Sequence, residues 1–249
     1  MKKNQYKQPK KEGWYLSKRH PHLDFPLSFE NTKKYVTDVS KIAKHSFYPF
    51  MSYEKKTRRY KGKLVNPSNK IRPIKYASHL DGHIYSYYAF QLKDHYERRI
   101  YKFELDEVVI GYRSGKGSNI HLAKQVFVEI KTRRDCIAIA VDISDFYGHI
   151  DHLNLKNEWC QVLNVDKLPT DHFSIFKSLT KWTSVDRKKL SIYLNYPLKK
   201  LPLSLVRNAK QFRKIRDEDH NKPNDEKIFE KNLKSCGIPQ GSPLSSFKR

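Results

Sequence analysis

A chain of 249 residues with 38% apolar content, 16 Tyr, 13 Phe and 3 Trp carries enough large side chains for a real core, which argues against disorder along its whole length. Its formal charge of +24 points to a polyanionic partner, nucleic acid ahead of a ribosomal or anionic-membrane surface, because each Lys or Arg that neutralises a phosphate releases a counterion. Three cysteines at positions 136, 160 and 236 have no CxxC or Cys/His ligand spacing, and no apolar run reaches the length of a signal core or a membrane span, so the expected setting is a reducing cytoplasm with no membrane partner.

Residues 1–27 are basic, with prolines and aromatics, and read as an arm; His20 and His22 flank a proline as in an exposed turn. From Ser28, a cap candidate, Tyr35, Val39, Ile42 and Ala43 recur at helical spacing, predicting one amphipathic helix to about His45. Thr57 to Tyr76 holds two short strand-like runs separated by Gly62 and by Asn66-Pro67-Ser68-Asn69, a densely positive β-hairpin. Ile84, Tyr88, Leu92 and Tyr96 lie four apart after Asp81 and predict a helix with an aromatic core face. After a glycine loop, Gly111 to Gly117, a helix capped by Ser118 is expected to pack through Leu122, Val126, Phe127 and Ile130.

Ile137-Ala138-Ile139-Ala140-Val141 is an unbroken apolar run and predicts a strand buried on both faces that ends at Asp142. Leu155, Trp159, Val162 and Leu163 predict one helix, and Phe173, Phe176 and Leu179 another. The highly charged stretch 188–234 reads as a partly solvent-exposed insertion.

A carboxylate at the end of a buried strand calls for a partner, and a metal ion competes there with a helix cap or a salt bridge. The segment Val141-Asp142-Ile143-Ser144-Asp145-Phe146-Tyr147-Gly148 resembles motif A of the reverse transcriptase palm. Gly237-Ile238-Pro239-Gln240-Gly241-Ser242-Pro243-Leu244-Ser245 is similar to motif B of the same family, in the same order along the chain. Arg72-Pro73-Ile74 and the Gly111–Ser118 segment look like fingers segments of bacterial reverse transcriptases related to group II intron proteins, a branch that includes enzymes linked to phage defence. The resemblance covers roughly residues 70–246.

It implies an α+β fold: right-hand polymerase fingers over 28–135 and a partial palm over 136–249, lacking the catalytic Asp-Asp hairpin and thumb. It also implies an RNA-directed DNA polymerase using two Mg²⁺ ions, deoxynucleoside triphosphates, an RNA template and a DNA or RNA primer. Asp142 is the implied metal ligand and Ile143 the adjacent backbone ligand. Tyr147 matches the aromatic that blocks a ribose 2′-hydroxyl, with core packing as its ordinary alternative. Gln240 and Gly241 match the residues against the nascent base pair, and Lys70, Arg72 and Arg113 are candidates for the triphosphate. Asp145 is expected to cap the helix beginning there, and Ser242-Pro243 reads as an ordinary helix start. A P-loop reading of the glycine loop fails, because only three residues separate Gly111 from Gly115 and Gly117 follows the lysine.

No Asp-Asp pair occurs in the sequence, so this chain alone is expected to be inactive as a polymerase; it reads as the amino-terminal part of an enzyme, whether a truncated reading frame, an incomplete gene prediction or a split protein whose palm a second polypeptide completes. The rival expectation is a non-catalytic nucleic-acid-binding protein with a vestigial palm.

Overall fold

A computed structural model describes residues 13–17, 19–58, 69–111, 113, 115–133, 135–223 and 225–242. The fold is α+β. Helices α1 (Phe29–Val36) and α2 (Val39–Ala43) lead into strand β1 (Phe50–Arg58), which pairs antiparallel with β2 (Asn69–Tyr76). The long helix α3 (His79–Lys102) and α4 (Asn119–Arg133) follow, then the single turn α5 (Phe146–His149), α6 (His152–Leu163) and α7 (Thr170–Thr180). Strand β3 (Thr183–Asp186), α8 (Arg187–Tyr193), a 3-10 turn at Leu198–Lys200, α9 (Ala209–His220) and β4 (Phe229–Lys231) complete the described elements. The strand order is β2-β1-β3-β4, with β1 and β3 parallel and β3 and β4 antiparallel. Among the described residues no helix is long and apolar enough to cross a membrane.

The period of two along β1 divides the interior in two. Phe50 enters a core with Ile84, Tyr85, Tyr88, Trp159 and Ile175, while its neighbour Met51 enters a second core with Val185, Leu190, Leu205 and Ile215. In the first, Tyr85 stacks between Phe47 and Phe50 at centroid distances of 5.4 and 5.9 Å, and its hydroxyl bonds Ser178, so burial of the ring leaves no orphaned polar atom.

Several sequence expectations hold. Ser28 caps α1 through Asn31 N–H, and Ile84, Tyr88 and Leu92 form the buried face of α3, with Tyr96 at its exposed margin. Others are corrected. The single helix expected to His45 is two, because the Asp38 carboxylate accepts from Lys41 N–H and starts a new helix. The hairpin is present, but its first strand is Phe50–Arg58, upstream of most of the expected run; Gly62 and Asn66-Pro67-Ser68 lie outside the described residues.

The amino-terminal arm is in part a core strap: Trp14, Tyr15 and Leu23 are buried, and His22 is fully inaccessible rather than in an exposed turn. Aromatic rings in this stretch bury more apolar area than its basic residues can hold in solvent. Asp24 on this strap accepts from the N–H groups of His79 and Leu80, taking orphan donors at the start of α3 from 55 residues away. Burial opposes ionisation of Asp24, but these bonds and the His79 ring outweigh it and hold the carboxyl below its usual range. Burial pushes the His22 imidazole down to about 3, against the nearby Asp24 carboxylate.

The stretch 188–234 is more than a solvated insertion: it supplies Leu190, Leu205, Val206, Ile215 and Ile228 to the second core, and β4 to the sheet. Buried Asp219 organises it by accepting from the N–H groups of Ile228 and Phe229 at 2.7 and 3.1 Å. The largest correction concerns residues 137–141, which form no strand and lie in solvent: Ile137 is 91% exposed and Val141 91%. A strand exists only where a neighbouring backbone completes its ladder, and the sheet closes on β1, β3 and β4 without this run. Helix α4 shares the outcome, with Phe127 72% exposed, because no other described element packs broadly on it.

Candidate active site

The two motif-like segments, some ninety residues apart in sequence, meet in space. Ile238 N–H donates to the Tyr147 carbonyl at 2.9 Å, and Gly237 N–H donates to the Ile150 carbonyl at 2.8 Å. Beside them His152 N–H donates to the Ser235 carbonyl and the His152 Nε2–H to the Gly237 carbonyl, at 3.0 and 2.9 Å. Asn232 Nδ2 reaches the carbonyls of Thr180, Cys236 and Gly237, tying the same loop to the end of α7. Gly237 has φ +89°, and a Cβ there would lie 3.0 Å from the Gly148 carbonyl oxygen, so only glycine allows the two segments to close.

The loop then runs onto the open edge of β2. Lys75 N–H, pointing away from β1, donates to the Gln240 carbonyl at 2.8 Å. Gly241 has φ +113°, and a Cβ there would come within 3.0 Å of Ile74 Cγ2 and 3.1 Å of the Lys75 carbonyl oxygen. Alternation along β2 places Lys70, Arg72 and Ile74 on one face, so the Gln240-Gly241 turn rests beside the row carrying the two cations, both half-buried. A cavity of about 360 Å³ opens here between β2, the start of α3 and Gly241. Tyr53 and Tyr76 wall it, with the Arg187 guanidinium over the Tyr53 ring at 4.6 Å.

The remaining sequence candidates are placed differently. Arg113 is withdrawn from solvent, its guanidinium held by Glu97 at 2.6 Å and Asp106 at 2.9 Å, and it also donates to the Val109 carbonyl. In this arrangement it pins the glycine loop to α3; of the triphosphate candidates, Lys70 and Arg72 remain on β2, on the face that carries Ile74, which the Gly241 turn meets. Asp145 stands at the start of α5 but makes no side-chain cap; its backbone is left-handed at φ 47° and its carboxylate lies 3.5 Å from His149 Nδ1. The four-residue helix is closed instead by Gly148 N–H and the His149 ring on the Asp145 carbonyl. The helix start read at Ser242-Pro243 falls beyond the described residues, save for Ser242, which is buried.

Asp142 and Ile143 are exposed in the irregular run before α5. A pair of Mg²⁺ ions needs several oxygen ligands. Among the described residues no group of three or more His, Cys, Asp or Glu side chains is gathered to hold an ion, so Asp142 and a single carbonyl do not suffice for the pair.

His152 and Asn232 were not legible as functional-site residues. A lone asparagine in a charged run and a histidine after a helix cap carry no local signature; their role appears only when Gly237 is folded against them. The chain matches no protein-family model and no curated protein.

Proposed function

We propose that this chain is the fingers and partial palm of an RNA-directed DNA polymerase of the group II intron-like, phage-defence-associated branch, acting in the cytoplasm. The observation that supports the reading is the hydrogen-bonded closure of the Tyr147–His152 segment on Gly237-Ile238, with Gln240-Gly241 laid on the cationic strand β2. Residues that resemble motif A and motif B thereby come to one place on strand β2, the strand that carries Lys70 and Arg72. In that role Lys70 and Arg72 neutralise phosphate oxygens, Gln240 and Gly241 lie along the nascent base pair, and Tyr147 excludes a 2′-hydroxyl. When bound, Mg²⁺ would supply activation of the primer hydroxyl and neutralisation of the triphosphate; Asp142 is the carboxylate this chain brings to it, and the others must come from outside the described residues.

The test is a ternary-complex assay that needs no turnover. Binding of a labelled primer–template to the chain is measured with and without the next complementary deoxynucleotide. Tighter binding with the complementary deoxynucleotide only, loss of that gain in Lys70→Ala/Arg72→Ala, and acceptance of ribonucleotides in Tyr147→Ala are the expected results. A chain that binds primer–template equally with any nucleotide or none is a non-catalytic nucleic-acid binder, and the polymerase reading fails.

A further inference from the structure

A second cleft is lined by side chains other than those of the motif loops. It has a volume of about 1180 Å³ and is lined by β3, β4, α7, α9 and the turn before β1. The motif loop rests on the outer edge of β2, whereas this cleft is lined by residues of β1, β3 and β4; Lys75 links the two, its N–H donating to the Gln240 carbonyl and its ammonium lying 3.4 Å from Glu230.

Its electrostatics are one-sided. Seven Lys and Arg side chains line it against three carboxylates, and each carboxylate is already committed within the fold. Asp186 accepts from Lys189 N–H, Asp219 from the N–H groups of Ile228 and Phe229, and Glu230 from the Ser184 hydroxyl. Lys44, Lys177, Lys181 and Lys231 are exposed and form no ion pair among the described residues. Four cations held on a concave surface without protein counterions attract a chain of phosphates.

The walls between the cations are aromatic: Phe47, Phe173, Trp182 and Phe212 all face the cleft. Phe173 is 45% exposed although it stacks on Phe176, so one ring face is supported while the side chain still meets solvent. Trp182 carries the Lys75 ammonium at 4.3 Å from its centroid. Flat rings interleaved with uncommitted lysines suit bases that are free to stack, which a duplex does not offer.

We propose that this cleft is a binding site for single-stranded nucleic acid, separate from the motif A and motif B site. The assignment stands on the cleft itself and does not depend on the polymerase reading. A bound strand lies with its phosphates along Lys44, Lys177, Lys181 and Lys231 and stacks bases on Phe173 and Trp182.

The cleft has its own reporter. Of the 3 tryptophans, Trp14 and Trp159 are buried at 4% and 7% exposure, so quenching on oligonucleotide addition reads Trp182. The intact chain is titrated with oligo(rU) and oligo(dT) of about twelve nucleotides, and with a duplex and inorganic phosphate as competitors, over a series of salt concentrations. Expected are a saturable quench absent from Trp182→Phe and an affinity at least tenfold weaker in Lys177→Gln/Lys181→Gln. The salt slope of that double variant should fall by about 1.4, since each lost phosphate contact on a single strand contributes about 0.7. Phe173→Ala, a substitution at an exposed position, should weaken binding about tenfold, and Lys70→Ala/Arg72→Ala should leave the quench unchanged. Unaltered affinity in the Lys177/Lys181 variant, or equal competition by duplex or phosphate, overturns the assignment. The ternary-complex assay above reads a different set of side chains, so either proposal can fail alone.

Discussion

Protonation of His22 should set the acid limit of this fold. The side chain is inaccessible, Leu23 N–H donates to its Nδ1 at 2.8 Å, and its Nε2 faces the Tyr76 carbonyl at 3.3 Å, an arrangement that suits the neutral ring. Burial lowers its folded-state value to about 3 from 6.5; Asp24 pulls upward, while His20 and His79 reinforce the depression. A depressed folded value means that the unfolded chain takes up the proton first as pH falls. The contribution is therefore complete above about 6.5 and is lost progressively between 6.5 and 3. At pH 5.0, 1.5 units below the unfolded value, the loss is about 2 kcal/mol at 1.36 kcal/mol per unit, and it would reach about 4 kcal/mol at pH 3, where the folded ring is itself half protonated.

Urea unfolding at pH 7.5 and 5.0 measures this directly; at a slope of about 3 kcal/mol per molar, the midpoint should drop by about 0.7 M. His22→Gln can still donate to the Tyr76 carbonyl but does not titrate. Other groups move in the same window: burial lowers His172 and so adds to the loss, while burial raises Asp81 and opposes it. Both persist in the variant and cancel in the difference. Wild type should lose about 2 kcal/mol more than His22→Gln between the two pH values. Equal losses would refute the burial argument, as would an NMR titration showing the His22 ring charged at pH 5.

Asp81→Ala should cost about 3 kcal/mol in chemical denaturation, because it strands the buried His45 ring, 2.7 Å away, and the Tyr48 N–H at 2.8 Å. Gly241→Ala places a methyl against Ile74 and the Lys75 carbonyl at a backbone angle that L-residues rarely adopt, so the motif loop should lift from β2. Its amide hydrogens, with that of Lys75, should exchange at least tenfold faster, whereas unchanged exchange at Lys75 would disprove the docking. Ile139→Lys and Val141→Lys should change unfolding free energy by less than about 0.5 kcal/mol and raise solubility, since both side chains already lie in solvent. A loss of several kcal/mol would mean that the run is a packed strand after all.

What could be read along the chain was what neighbours in sequence decide. The Ser28 cap and the Ile84-Tyr88-Leu92 face of α3 depend on hydrogen bonds and side-chain periods spanning a few residues, and they are where the residue pattern places them; of the basic hairpin, the second strand is in place while the first starts upstream at Phe50. The motif-like segments around Tyr147 and Gly237 were visible as short patterns, but their contact was not. It rests on His152 and Asn232, whose carbonyl partners are chosen by the fold.

Tertiary structure alone decided the rest. Ile137 to Val141 has the composition of a buried strand, yet backbone donors and acceptors need a partner ladder that β1, β3 and β4 do not extend to it. Two histidines around a proline look like a turn, yet Trp14, Tyr15 and Leu23 draw that stretch inward and carry His22 with them. The charged run 188–234 hides a second core because Met51, pointing away from Phe50, needs apolar cover on its own side of the sheet. A local pattern states which face of an element is apolar; only the assembled fold settles whether another surface is there to cover it.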